Sequence, residues 1–540
     1  MHLGSLLVLA AHGAASSTFG TYRPPSFTPG PGFDVREATI DSIHDSLYKG
    51  EVTCRDVVSA FLARIEEFNP LISAVLSLNP AVLADADLLD ADDAPWSEKG
   101  RLHCIPILLK DNYDAVGMPT TAGCKALAHL EPTSDAPVVT ALKSAGAIIL
   151  GKVNMHEMAL EGLSVSSLGG QTLNPYDLSR TPGGSSGGSG AAIAANLAVV
   201  ATGTDTVNSL RSPASANNLF SFRPTRGLIS RAGVIPVGYT QDALGAMGRS
   251  VKDIATVLDV MAKSAHHPAD NATALKPPNI HLKDYDTNLF GGTLAGMRIG
   301  VLSGAYNHTA SSETSPVLEA MANMERLLRD EGVELSPIVS PMFNMADMAS
   351  EVDVQSFEYR EVLNEYLQRE DLKGEPRPAS FEELRSTSDP AYLAKKKRIE
   401  ELTTALHEEF RSKGLDAIIY PEQRNLVVKV GSPSQAGRNG ILAAVTGSPV
   451  VVVPAGWSEP SEDAPLGVPI GMEILGMPWT EEKLLRIAQL ISQETGQLRK
   501  PPKLAEHAVR GKCYSHVPSG FLSTVADASQ HYPMGILDRQ

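Results

Sequence analysis

The chain has 540 residues, of which 43% are hydrophobic and 20% charged, a composition typical of globular proteins. Its 45 glycines and 37 prolines make about 15% of the chain, below the roughly 25–30% of low-complexity proteins, which excludes a disordered or collagen-like protein. The formal net charge of −16 repels phosphate backbones, so we expect no nucleic-acid partner.

The N-terminus contains a short apolar run over residues 3–11, followed by Ala14 and Ala15 and by serines and a threonine. The run is too short to span a bilayer and is typical of a secretory signal peptide. We therefore predict a signal peptide over residues 1–20 and a leader rich in proline, glycine and serine over 21–34.

Two N-x-Thr sequons, at Asn271 and Asn307, agree with a secretory route. We expect a secreted or vacuolar protein, with a cytoplasmic protein as the alternative. Because no later stretch reaches about 18 apolar residues, no transmembrane helix is expected.

The cysteine pattern does not indicate a metal site. There is no CxxC pair, so zinc is unsupported, and a disulfide scaffold requires a higher cysteine density. Cys104 lies beside apolar residues and is expected to be a small buried side chain. The four cysteines are Cys54, Cys104, Cys124 and Cys513.

Helical periodicity extends over residues 37–67, and 81–91 has the pattern of an Asp-rich amphipathic helix. Strand patterns then alternate with helical ones. Continuous apolar runs such as 105–109 are typical of strands that are buried on both faces. The alternation predicts an α/β/α sandwich around a large, mixed but mostly parallel sheet. The remaining segments are a helix at 138–144 and strands at 147–150, 417–420, 450–453 and 470–474.

Residues 315–410 interrupt this alternation, being charged and strongly helical. We predict a helical insertion that covers the sheet, with the basic run 395–398 on a solvated helix face. The whole of 35–510 is predicted to form one domain, followed by an irregular tail over 511–540.

The most informative segment is the Gly/Ser-rich stretch 182–190. A phosphate loop would end in Gly-Lys-Ser/Thr, and the lysine is absent. A flexible linker would not continue directly into the small-residue helix and strand that follow. The pattern G-x-S-x-G around Ser185 also fits a nucleophile elbow, but a loop precedes it where the elbow requires a strand.

Geometry favours a fourth interpretation, in which a second serine joins Ser185. A helix over 188–198 advances about 16 Å, and a strand over 199–204 returns about 20 Å, so Ser209 comes back near Ser185. Lys110 ends the apolar strand 105–109, at the edge where α/β sheets place their sites. Taken alone, Lys110 has the pattern of an ordinary surface lysine at the end of a strand.

These motifs resemble those of the amidase signature family of serine hydrolases. The similarity covers residues 35 to about 500, and the paired-serine signature is its most specific part. The matching segments are the lysine segment 102–112, the stretches 117–123 and 151–157, the serine motifs 182–190 and 203–211, and 468–476.

The resemblance implies the amidase signature fold and a Ser-cisSer-Lys triad. The family's nucleophile falls on Ser209, its proton-relaying serine after a cis peptide bond on Ser185, and its base on Lys110. Burial in an apolar strand suits this role, because it disfavours the charged form of lysine. No metal or cofactor is implied.

The resemblance further implies an oxyanion hole of backbone N–H groups at Thr206, Val207, Asn208 and Ser209. The family usually has Gly-Gly where this chain has Val207-Asn208. Asn tolerates φ > 0 but Val does not, so either the turn keeps φ < 0 or the hole is distorted. The resemblance assigns structural support of the turn to Asp205, Arg211 and Ser186.

The sequence therefore predicts an amidohydrolase that cleaves a carboxylic amide through an acyl-enzyme. The substrate is a small-molecule or peptide amide, and the protein is a monomer or a homodimer. Two alternatives remain. One is a glutaminase subunit of a tRNA-dependent amidotransferase, and the other is a non-catalytic family member that acts as a binding or structural protein.

Overall fold

The computed structural model describes residues 33–264, 267–278, 284–374, 385–496 and 498–504. The predicted signal peptide, most of the leader and the C-terminal tail lie outside them. Within the described residues, no helix combines the length and the hydropathy needed to span a bilayer.

The described helices are α1 (Ile40–Tyr48), α2 (Cys54–Ile72), α3 (Val82–Asp90), α4 (Pro137–Ser144), α5 (Gly187–Ala194), α6 (Arg211–Ala216), α7 (Val251–Ala262), α8 (Ser315–Asp330), α9 (Met345–Val352), α10 (Gln355–Leu367), α11 (Pro390–Lys413), α12 (Ile441–Thr446) and α13 (Glu481–Thr495). The strands are β1 (Val75–Leu78), β2 (Pro106–Lys110), β3 (Glu131–Pro132), β4 (Ile148–Val153), β5 (Val165–Ser166), β6 (Gly170–Gln171), β7 (Val200–Asp205), β8 (Phe220–Arg223), β9 (Ala243–Gly248), β10 (Arg298–Leu302), β11 (Glu334–Ile338), β12 (Leu372–Lys373), β13 (Ala417–Pro421), β14 (Val450–Trp457) and β15 (Pro469–Leu475).

Eleven strands form one sheet in the order β1-β4-β2-β7-β9-β8-β14-β15-β13-β10-β11. The predicted α/β fold with a large mixed sheet is confirmed. The prediction that most of its strands pair in parallel is wrong. The pairs β4–β2, β2–β7, β13–β10 and β10–β11 are parallel, and the other six neighbouring pairs of this sheet are antiparallel. Buried apolar runs reveal strands in either direction, so they do not distinguish the two pairings.

The candidate site lies at the centre of the sheet, where α5 packs on the central strands. All five residues of β2 and all eight of α5 are buried, and α5 packs on β2, β7 and β9. This close approach depends on small residues: a Cβ at Gly188 would lie 2.2 Å from the backbone oxygen of Asn154. The Gly/Ser stretch is thus a packed helix start and not a linker.

The helical pattern over 37–67 corresponds to two helices, α1 and α2. Gly50 has φ of +68°, and Thr53 caps the new helix by accepting a hydrogen bond from the Asp56 backbone N–H. A local turn and a capping box therefore divide one continuous apolar pattern.

The segment 315–410, predicted as a helical insertion, also contributes to the sheet. Its strand β11 pairs in parallel with β10 at the sheet edge, and α8 packs on β14. Only one of the five β11 residues is buried, so the strand lacks the apolar run that marks the central strands. Of the later helices, α9 and α11 share an apolar cluster with residues of β13, β14 and β15. Helix α10 packs in a separate cluster, against loop residues such as Leu127 and Ile235.

Cys104 is buried as expected, but it is not a free side chain. The structure bonds it to Cys54 at the start of α2, with the two Cα atoms 5.2 Å apart. The bond joins α2 to the loop that precedes β2. Low cysteine density argued against a disulfide framework, and it does not exclude a single bond.

Candidate active site

Three chain segments converge at one edge of the central sheet. Lys110 ends β2, Ser185 precedes α5, and Ser209 lies between β7 and α6. Parallel pairing of β2 with β7 brings the ends of these strands side by side. The Lys110 backbone N–H donates to Thr202 Oγ1 at 3.1 Å, which fixes the end of β2 against β7.

The Lys110 side-chain nitrogen contacts the first of the two serines. Nζ lies 2.7 Å from Ser185 Oγ and 2.8 Å from Thr204 Oγ1, and the side chain is fully buried. Burial lowers the pKa of Lys110 to about 7, although the charges of Asp205 and Asp242 act in the opposite direction. At neutral pH a large fraction of this lysine is therefore unprotonated.

The two serine segments are joined through their backbones. The peptide bond that precedes Ser185 is cis. The Ser186 N–H donates to the Ser209 carbonyl at 3.3 Å, and Ser186 Oγ donates to the Thr204 carbonyl at 3.3 Å. Ser209 is 8% exposed, whereas Ser185 is fully buried, so Ser209 is the more accessible of the two.

The turn that precedes Ser209 does not need the left-handed conformation. Neither Val207 nor Asn208 has a positive φ. Of the two alternatives for Val207-Asn208, the turn therefore keeps φ < 0. Thr206 Oγ1 donates to Asp242 at 2.7 Å, and Asn208 Nδ2 donates to Glu422 at 2.9 Å.

A buried charge network supports the same turn. Arg211 contacts the carboxylate of Asp205 at 3.0 Å and that of Glu473 at 2.8 Å, and Arg223 contacts Asp205 at 2.7 Å. The Asp205 carboxylate also accepts from the Leu210 N–H at 3.0 Å. Burial acts to raise the pKa of Asp205, but the two arginines lower it to about 2. Of the predicted supporting positions, Arg211 donates to the Val207 carbonyl in the turn, and Asp205 accepts from Leu210 directly after it.

Sequence reasoning missed several of these partners. Thr202 and Thr204 lie two residues apart on β7, so they share one face, and this alternation was a usable signal. Glu422 directly follows β13 and thus lies at a strand end. Arg223 ends β8 and Glu473 lies inside β15, and sequence gives no signal that they meet Asp205 and Arg211.

A cavity of about 650 Å³ lies beside this cluster. Thr204 and Thr206 line it, together with Asp242 and Leu244 of the neighbouring segment. Because Thr204 also contacts Lys110, the cavity extends to within one side chain of the lysine. Its lining also includes residues of α10 and of the segment that follows, among them Tyr366 and Arg369.

The mixed sheet with its surrounding helices defines the molecule as an α/β protein. A family model described as Amidase matches residues 56–485. The chain belongs to the amidase family.

Individual relatives agree. A probable amidase of Arabidopsis thaliana is 31% identical over 499 residues, which cover 87% of this chain and 92% of the relative. A glutamyl-tRNA(Gln) amidotransferase subunit of Chloroflexus aurantiacus is 30% identical over 87% of this chain and 99% of its own. The native peptide amidase of Stenotrophomonas maltophilia superposes with a TM-score of 0.75 at 31% identity, over 88% of this chain and all of that one.

Proposed function

We propose that the protein hydrolyses carboxylic amides through an acyl-enzyme on Ser209. The observation that carries the proposal is the buried Lys110 Nζ, 2.7 Å from Ser185 Oγ, with a pKa of about 7. An unprotonated amine in this position is a base at neutral pH. The alternative of a non-catalytic protein gives no reason for this arrangement.

In the proposed mechanism, Ser209 Oγ attacks the amide carbonyl carbon. Its proton passes to Ser185 Oγ, while the Ser185 proton passes to Lys110 Nζ. The tetrahedral intermediate collapses, and the proton returns through Ser185 to the leaving amine. Water then attacks the acyl-enzyme by the same proton route and releases the carboxylic acid and free Ser209.

Backbone N–H groups at Thr206, Val207, Asn208 and Ser209 are the proposed oxyanion hole. The hydrogen bonds of the Thr206 and Asn208 side chains hold this turn from two sides. Preorganised donors of this kind are worth roughly 10²–10³-fold in rate. The proposed steps use only groups of the chain, the substrate and water.

The proposed substrate is a small-molecule or peptide amide. The similarity to a peptide amidase favours this class. The proposal includes action as a monomer or a homodimer and a secreted or vacuolar location.

A glutaminase subunit of an amidotransferase is the second candidate, because one amidotransferase subunit is 30% identical over nearly its full length. The two functions differ in substrate. A glutaminase subunit releases ammonia from glutamine when its partner subunits are present, whereas an amidase cleaves other amides alone.

The test compares benzamide, a C-terminal peptide amide and glutamine as substrates of the purified chain and of Ser209→Ala. Hydrolysis of either of the first two by the wild type, lost in Ser209→Ala, supports the proposal. A chain that turns over neither of the first two amides, and glutamine only once amidotransferase partner subunits are added, favours the glutaminase function. Equal turnover by both proteins would exclude Ser209 as the nucleophile.

A further inference from the structure

The side chain of Asn208 projects away from the turn and into a buried contact. Its Nδ2 donates to Glu422 Oε1 at 2.9 Å, and both residues are almost completely buried. A glycine at this position would have no such side chain. Asn208, which stands where the family usually has a glycine, thus makes a side-chain hydrogen bond that a glycine could not make.

Glu422 is itself rigidly held. It follows β13, its N–H donates to the Gly471 carbonyl at 3.1 Å, and its own carbonyl accepts from the Asn439 N–H at 3.2 Å. Gly440 closes the other side, since a Cβ there would lie 2.3 Å from that of Asn208. The Asn208 side chain is therefore fixed between Glu422, at the end of β13, and the backbone of Gly440.

We propose that Glu422 is a positioning residue which, through Asn208, holds the oxyanion turn in its working conformation, and that only its uncharged form is compatible with rapid acylation. The inference rests on the proposed function. Glu422 does not touch the reacting atoms, and its contact with Asn208 fixes a turn that glycines would leave conformationally free.

The surroundings of Glu422 favour its neutral form. Oε2 has no hydrogen-bond partner among the described residues, which a protonated carboxyl group tolerates better than a carboxylate. Burial raises the pKa of Glu422 to about 8, and the carboxylate of Glu473 acts in the same direction, whereas the hydrogen bond from Asn208 lowers it.

The other charged groups that face Glu422 partly compensate one another. Arg211 of α6 lowers its pKa, while Asp205 of β7 raises it. Tyr420 of β13 also faces Glu422; burial raises the pKa of Tyr420 well above its ordinary value, and the charges of Glu473 and Glu422 act in the same direction. Above about pH 8, ionised Glu422 would add a negative charge behind the oxyanion hole, separated from the turn only by the Asn208 side chain. That charge opposes an oxyanion, so the rate of acylation should fall.

The experiment measures the second-order rate of labelling by a rhodamine fluorophosphonate from pH 6 to 10. This probe phosphorylates a nucleophilic serine and requires no knowledge of the substrate. The wild type should pass through a maximum between about pH 7 and 8. Glu422→Gln keeps an acceptor for Asn208 but cannot ionise, so it should match the wild type at pH 7 and lose the alkaline decline.

A double-mutant cycle tests whether Glu422 acts through Asn208. Glu422→Leu and Asn208→Ala should each slow labelling roughly 3- to 10-fold, the equivalent of one buried hydrogen bond. The double variant should be no slower than either single one. Additive effects, or an alkaline decline that persists in Glu422→Gln, would overturn the proposal.

Controls separate this inference from the proposed function. Glu481→Gln neutralises another buried carboxyl group, which accepts from Thr225 outside the turn, and should leave the pH profile unchanged. A wild type that is not labelled, or a Ser209→Ala variant that is, would contradict the function itself. If Glu422→Leu does not fold, the pH profile of labelling of Glu422→Gln still tests the proposal.

Discussion

Lys110 shows how burial changes the chemistry of one residue. Its ordinary pKa of about 10.4 would leave it protonated at neutral pH, whereas burial lowers the value to about 7. Protonation below pH 7 removes the base. Hydrolysis should therefore fall about tenfold per pH unit below 7 and level off between about pH 7 and 8. A pH–rate profile of kcat/KM checks the prediction, and a rate independent of pH from 5 to 8 would contradict it.

Replacing the base should be nearly as damaging as replacing the nucleophile. Lys110→Met leaves both serines without a proton acceptor, so activity at pH 7 should fall by at least the roughly 10²–10⁴-fold typical of general-base loss. Lys125→Met, at an exposed lysine, is the matched control. Retention of most of the activity by Lys110→Met would exclude the lysine as the base.

The turn Val207-Asn208 gives a third prediction about single residues. Because neither residue has a positive φ and Asn208 is anchored to Glu422, Val207→Gly/Asn208→Gly should be slower on small and bulky amides alike. Added backbone freedom should also destabilise the protein by roughly 1 kcal/mol per glycine. Kinetics on one small and one bulky amide measure the effect, and a higher kcat/KM for the bulky amide alone would show that the turn narrows the site.

Much of the site could be predicted from sequence because the serine motifs and the lysine segment are each contiguous. The spacing predicted that Ser209 returns near Ser185, and the structure joins the two segments through the Ser186–Ser209 backbone hydrogen bond. The contact of Asn208 with Glu422 spans 214 residues of chain, and neither local pattern indicates it. The chemical roles of the triad remain predictions.

Between secondary-structure elements, the Arg211 network fastens α6 to β7, β8 and β15. Arg211 is fully buried between Asp205 and Glu473, so Arg211→Leu leaves Glu473 buried without its arginine and Asp205 paired with Arg223 alone. We expect a loss of roughly 3–5 kcal/mol in the free energy of unfolding. Urea denaturation monitored by circular dichroism measures it.

Arg55→Leu is the control, since the Arg55–Asp87 pair has both side chains about half exposed. Exposed ion pairs contribute about 0–1 kcal/mol to the free energy of unfolding, so the urea midpoint of Arg55→Leu should be close to that of the wild type. An equal loss in the free energy of unfolding in the two variants would mean that the buried ion pairs stabilise the fold no more than an exposed pair does.

Buried strands could be predicted because their continuous apolar run is present whichever strand they pair with. Strands β2, β4, β13, β14 and β15 all coincide with such runs. The edge strand β11 could not be predicted in this way, because its five residues range from exposed through half-buried to buried. Edge strands lack the continuous burial on which the prediction depends.

For the molecule as a whole, sequence could predict the α/β class but not the pairing direction, which depends on how distant segments meet. The same holds for the Cys54–Cys104 bond, which joins residues 50 positions apart. Composition alone does not indicate which cysteines approach each other.

The disulfide should stabilise the folded chain. Closing a loop of this length is worth roughly 2–4 kcal/mol, mainly through the unfolded state. Cys54→Ser/Cys104→Ser should therefore lower the urea midpoint, and reductant should lower that of the wild type to a similar value. A wild-type midpoint that is insensitive to reductant would contradict a disulfide in the purified protein.

The proposed function depends on Ser209 as the nucleophile and on Lys110 as the base that activates it. Tandem mass spectrometry of the protein treated with a fluorophosphonate locates the nucleophile without any knowledge of the substrate. We expect one adduct, on the peptide that contains Ser209, absent from Ser209→Ala and formed far more slowly in Lys110→Met at pH 7. An adduct on another residue, or undiminished labelling of Ser209→Ala, would contradict the assignment.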